Sequence, residues 1–217
     1  MHALILDLII SVLMQSGSVA RRMANQAELI DASTIVKELQ VELKYSTADN
    51  FMGEDLYGDL EACYLHRNAA AMLADAQDEL IATHPNLRLH VYDCARPGSV
   101  QWKMWAKVKG TPSQKYVGNP RNGSIHSFGC AVDLTVATKD GKPLDMGTPY
   151  DFFGREAHPA AEAEMLANGT LTQAQIDHRK ILRKVMLGAE FKGLSHEWWH
   201  FDCAGQSETR KEYPFIP

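Results

Sequence analysis

The sequence predicts a single domain that mixes α-helix with β-strand. A length of 217 residues suits one hydrophobic core and is short for two. Two long stretches, 59–83 and 172–188, repeat apolar residues at three- and four-residue steps, the period of an amphipathic helix. Shorter stretches at 39–45, 87–92 and 131–136 alternate apolar with polar residues, the period of a half-buried strand. Hydrophobic content of 45% and charged content of 23% are ordinary for a globular chain. The net charge of −5 and the lack of any Lys/Arg run give no electrostatic reason to expect a nucleic-acid partner.

Residues 1–20 stand apart from a domain spanning 25–217. An apolar run from Ala3 to Met14 precedes Gln15-Ser16-Gly17-Ser18-Val19-Ala20, which suits a secretory signal peptide cleaved near Ala20. No Lys or Arg precedes the run, however, and Asp7 interrupts it, which suits an N-terminal helix packed on the domain. The first reading makes the protein periplasmic or secreted, and the second makes it cytoplasmic. The run is too short and too interrupted to predict a membrane span.

Further along, Leu39, Val41, Leu43 and Tyr45 define the first strand, and 46–58 is an Asp/Asn/Gly-rich loop. The helix at 59–83 carries Ala62, Leu65, Ala69, Leu73, Ala76 and Leu80 on one side, holds His66, and ends at His84-Pro85-Asn86. The strand at 87–92 runs into Asp93-Cys94-Ala95-Arg96-Pro97. Pro97 keeps Arg96 out of the helical region, on a turn before a short helix over 100–109. Position alone leaves Arg96 as either a solvated charge or a fixed guanidinium facing a ligand. Residues 110–123 and 146–158 read as loops. Thr172 is the predicted N-cap of the helix at 172–188, followed by short strands at 191–194 and 197–201 and a proline-bearing tail. Cys63, Cys94, Cys130 and Cys203 form no C-x-x-C pair, so they suit one or two disulfides in an oxidising compartment, or small buried thiols otherwise.

The chemistry concentrates in Ser124-Ile125-His126-Ser127-Phe128-Gly129-Cys130-Ala131-Val132-Asp133 and in Glu197-Trp198-Trp199-His200. Asp133 alternates with Val132 and Leu134, so it leaves the core face for a cleft. His126, Asp133 and His200 form a three-ligand zinc set with a position open for water, and Glu197 is placed to serve as base. Singly, each histidine would be an ordinary hydrogen-bonded side chain; the combination is what points to a metal. Glu197 and His200 are three residues apart, which on a regular strand means opposite faces. Both reach one cleft only if Glu197 lies outside the strand or a bulge re-aims it.

These two stretches resemble the signature of the VanX-type D-alanyl-D-alanine dipeptidases, a family of zinc peptidases. Lys44-Tyr45-Ser46-Thr47, Asp49-Asn50-Phe51, Asp93 with Arg96-Pro97, Met146-Gly147 and Asp151-Phe152 extend the resemblance over roughly residues 39–202. It implies an α+β domain with a central, mainly antiparallel sheet flanked by helices and a zinc site in a cleft on the sheet. It further implies one Zn2+ per chain on His126, Asp133 and His200, with Glu197 as base and Arg96 steadying the tetrahedral intermediate. Asp151, Tyr45 and Ser124 would hold the amino end of a small D,D-dipeptide, D-Ala-D-Ala. Cys94-Ala95 before Arg96, and Cys130 within the zinc motif, depart from the family pattern without replacing a ligand. Two alternatives keep the same metal site: a D,D-carboxypeptidase or other muropeptide peptidase, which would not depend on Asp151, and a zinc-holding binding domain, which would not need Glu197.

Overall fold

The computed structural model describes residues 18–26 and 28–217. The signal-peptide reading of residues 1–20 therefore falls almost wholly outside the described residues. What is described begins with a short helix, α1 (Val19–Ala24), capped by the Ser18 side chain. No helix among the described residues is long and apolar enough to cross a membrane.

The centre is a five-stranded mixed sheet. Its strands, in spatial order, are β2 (Gln40–Val41), β4 (Leu87–Asp93), β5 (Ala131–Thr138), β7 (His200–Asp202) and β6 (Lys192–Gly193). Only the β2–β4 pair is parallel; the other three pairs are antiparallel. A separate antiparallel pair joins β1 (Leu29–Asp31) to β3 (Tyr64–His66). Two long helices, α2 (Arg67–Thr83) and α5 (Gln173–Gly188), pack on each other and on β4 and β5. Three shorter helices complete the domain: α3 (Gly98–Val108), α4 (Glu162–Ala167) and α6 (Gln206–Glu212). This is the α+β architecture the sequence predicts, with the sheet mainly antiparallel. Val132, Leu134 and Val136 are fully buried on one face of β5, and Asp133 alternates to the other.

The departures have local causes. The first predicted strand shrinks to Gln40–Val41, because residues 44–46 turn into a 3-10 helix that buries Leu43 and Tyr45 by another route. The helix predicted from residue 59 starts only at Arg67. Leu65 fits a helical period equally well, but its neighbours pair with β1 and Cys63 is bridged to Cys94, so tertiary pairing overrides the local preference. His66 is consequently an N-cap, accepting from the Asn68 N–H at 3.4 Å, and not a helical residue. In the predicted strand at 197–201, only residues from His200 onward pair. Helix α6 has no counterpart among the predicted elements, since its residues are polar and it buries only Thr209.

Candidate active site

Strand register brings the ligand set together. Asp133 on β5 lies directly opposite His200 on β7. A bulge in β4 between Val91 and Asp93 shifts that strand by one residue, so Asp93 comes opposite Asp133. The row Asp93, Asp133, His200 thus crosses three strands. His126 arrives from a 3-10 turn over Ile125–Phe128, closed by Gly129 at φ +64°. A side chain at Gly129 would meet Leu29 and the backbone of His66, so both conformation and space call for glycine. The Cys130–Cys203 disulfide ties the entrance of β5 to the exit of β7, and Cys203 N–H donates to the Cys130 carbonyl at 2.7 Å.

The three predicted ligands converge in a buried cluster. His126 Nε2 lies 3.2 Å from His200 Nδ1 and 3.4 Å from Asp133 Oδ1, and His200 Nδ1 lies 2.9 Å from Asp133 Oδ1. Their hydrogen-bond partners fix which nitrogens face inward. His126 Nδ1 is 2.7 Å from the Cys94 carbonyl, which can only accept, so this nitrogen carries the proton and Nε2 presents a lone pair. His200 Nε2 donates to Asp202 Oδ1 at 2.8 Å, leaving Nδ1 as the inward donor atom. Tyr150 OH donates to Asp133 Oδ2 at 2.9 Å, and Oδ1 faces the two imidazoles.

Two lone pairs and a carboxylate oxygen turned on one another repel unless positive charge sits among them. The edges of a tetrahedron around zinc with bonds of about 2.0–2.1 Å are about 3.3 Å, close to the spacings found here. Burial works against a charge on His200, but Asp202 and Asp133 outweigh it and hold its pKa well above the ordinary value. Burial likewise pushes Asp133 up, yet His126 and His200 hold it well below the usual carboxylate range. The cluster attracts positive charge, and its donor set fits a divalent metal of zinc type.

Around it, a cavity of about 320 Å³ is lined by all the predicted site residues, including Tyr45, Arg96, Ser124, Asp151 and Glu197. Glu197 sits just before β7, outside the strand, which is the condition under which it can share a cleft with His200. Burial is the main cause that raises its pKa, to about 7. Arg96 is 7% exposed and fixed on three sides. Its Nε and one terminal nitrogen grip Asp93 Oδ2 at 3.0 and 2.5 Å, and the other terminal nitrogen donates to Gln101 Oε1 at 2.8 Å. Its guanidinium lies over the Tyr45 ring at 5.1 Å. Five N–H groups less three leave two for the cavity. Asp93 is also braced by Tyr57 OH at 2.7 Å.

Asp151 has φ +59°, a left-handed conformation that strains most non-glycine residues. Tyr45 OH donates to its Oδ2 at 2.8 Å, and burial raises its pKa well above the usual carboxylate value. Asp151 is among the residues that line the cavity.

Asp202, Tyr150 and Gln101 are supporting residues that motif reading passes over, whereas Asp93 stands among the motif landmarks. Asp202 was accessible from sequence, because it lies two residues beyond His200 on a strand and so shares its face. Tyr150 adjoins Asp151. Gln101 offers no signal, since only the fold of α3 brings it to Arg96.

Two inward imidazoles with a carboxylate, a buried carboxylate of raised pKa and a fixed guanidinium around one cavity make up a metal-dependent hydrolase site. The comparisons narrow the class. The profile of peptidase family M15, described as D-ala-D-ala dipeptidase, matches residues 25–216, and the chain belongs to that family. A D-alanyl-D-alanine dipeptidase of Escherichia coli (strain K12) is 36% identical over 83% of this chain and 86% of its own length. Proteins of the same name from Enterococcus faecium and Enterococcus faecalis (strain ATCC 700802 / V583) are 30% and 28% identical. They cover 77% and 73% of this chain, and 87% and 82% of their own.

Proposed function

We propose that this protein hydrolyses the free dipeptide D-Ala-D-Ala to two D-alanines with one zinc ion held by His126, Asp133 and His200. The single observation that carries the reading is the convergence of those three donor atoms beside Glu197, Arg96 and Asp151 in one cavity. A zinc ion bound there would lower the pKa of a bound water from about 15.7 to about 7 and polarise the scissile carbonyl.

The chain's own groups account for the remaining steps. Glu197, with its pKa raised to about 7 by burial, takes the proton of the attacking water and passes it to the leaving amine. Water thus adds its oxygen to the carbonyl carbon, and the peptide C–N bond breaks to give one free acid and one free amine. Arg96 turns its two unused N–H groups to the oxyanion, a role worth about 3 kcal/mol of barrier. Asp151, oriented by Tyr45, accepts the substrate ammonium, and Ser124 lines the same end. A carboxylate lining the cavity there rejects a chain whose amino end is acylated, because the acyl group removes the positive charge and leaves Asp151 without its ion-pair partner.

The reading extends to location. Two disulfides, Cys63–Cys94 and Cys130–Cys203, use all four cysteines and support an exported protein acting outside the cytoplasm. Stripping the metal with a chelator and reloading zinc tests the function. D-alanine release from D-Ala-D-Ala should vanish and return; release that survives metal removal, or fails to return with zinc, counts against it.

A further inference from the structure

Arg179 is a buried charge that the mechanism does not use. Arg179 is 1% exposed on α5, on the side of the helix where an amphipathic pattern calls for an apolar residue. Its Nε donates to the Met146 carbonyl at 2.7 Å, and Nη2 donates to the Glu156 carbonyl at 2.9 Å. These carbonyls lie ten residues apart and bracket the loop that delivers Tyr150 and Asp151. Nη1 is buried without a hydrogen-bond partner among the described residues, 3.8 Å from Glu162 Oε1. Glu162 itself is engaged by both terminal nitrogens of Arg183, at 3.1 and 2.8 Å. Arg179 therefore has no acid to itself, and its two hydrogen bonds go to the loop backbone.

Burying a guanidinium costs free energy, and burial lowers the pKa of this one. An apolar residue at position 179 would fill the same space without that cost, so the charge must act through what it holds. The loop it holds is strained, with Asp151 at φ +59°. Trp198, next to Glu197, lies 5.9 Å from the Arg179 guanidinium and donates to Thr148 Oγ1 at 2.8 Å, so the loop is also fastened to the segment before β7 that carries the base.

We propose that Arg179 is a positioning residue for substrate selection: it clamps both ends of the 146–156 loop and thereby holds the Asp151 carboxylate where the substrate ammonium docks. The inference rests on the reading of Asp151 as the ammonium partner. Methionine at 179 keeps the aliphatic bulk and removes every donor, while lysine keeps the charge and three donors on one nitrogen but lacks the planar fork that holds both carbonyls.

The test is steady-state kinetics on D-Ala-D-Ala with zinc-loaded Arg179→Met, Arg179→Lys, Asp151→Asn and the Arg179→Met/Asp151→Asn double variant. Metal content and thermal unfolding are measured on each. Arg179→Met should raise KM about tenfold with kcat changed less than about threefold and zinc stoichiometry intact, with Arg179→Lys between it and wild type. In the Asp151→Asn background the Arg179→Met change should add little, because the group it positions is already gone. A full additional rise there, or a fall in kcat and zinc content with KM unchanged, would overturn the clamp and leave Arg179 a stabilising residue only. If Arg179→Met does not fold, Arg179→Lys carries the same comparison. Asp151→Asn with unchanged KM would instead overturn the ammonium reading, and the inference with it.

Discussion

Replacing Asp202 by alanine removes the carboxylate that accepts from His200 Nε2 at 2.8 Å, deep enough that Asp202 is only 4% exposed. Two consequences follow for metal binding. The imidazole loses the partner that fixes its tautomer, so Nδ1 no longer faces the cluster as an obligatory lone pair. It also loses the negative charge that first offsets burial and keeps His200 attracted to positive charge. Outer partners of this type are worth about 10- to 100-fold in metal affinity, or about 1.4 to 2.7 kcal/mol. The structure argues for the upper half of that range, since His200 Nε2 has no other acceptor among the described residues and the site is buried. Competition against a chromophoric chelator measures the zinc affinity directly, and kcat at saturating zinc separates occupancy from chemistry. Zinc affinity should fall about 30- to 100-fold, with most of the activity recovered at high zinc. Unchanged affinity would refute the claim that His200 binds through Nδ1 with Asp202 behind it.

Three further outcomes are expected. Glu197→Gln should lower kcat about 10²- to 10⁴-fold while zinc content stays at one per chain, read by turnover and metal analysis. Because burial raises the Asp151 pKa, its ionised form begins to disappear at a higher pH than for an ordinary carboxylate. KM for the free dipeptide should therefore rise on acidification from that higher pH, and Asp151→Asn should abolish this limb of the pH–KM profile. Replacing Cys130 and Cys203 by serine opens a loop of 73 residues, and denaturant unfolding should show a loss of about 4 kcal/mol.

Much of the site was legible because its chemistry resides in side-chain type. His126, Asp133 and His200 announce a metal by composition, and alternation along β5 already turned Asp133 off the core face. The position of Glu197 followed from a parity argument that the fold satisfies by starting β7 at His200. Less legible was anything that depends on long-range partners. Leu65 obeys helical and strand periods equally, so only its neighbours' pairing with β1 decides that α2 begins at Arg67. Helix α6 has almost no apolar face to detect. Arg179 reads as a solvated charge until the loop at 146–156 folds over it. The disulfide pairing depends on which strands are neighbours, which cysteine spacing does not encode.

The central claim is that one cavity combines metal-assisted hydrolysis with recognition of a free amino end. It is tested most directly by kcat/KM of the zinc-loaded protein for D-Ala-D-Ala and for its N-acetyl derivative. The half-buried Asp151 carboxylate predicts a preference for the free dipeptide of about 10- to 10²-fold, from the loss of a charge-assisted hydrogen bond worth about 1.5 to 3 kcal/mol. Equal values for the two substrates would contradict the account.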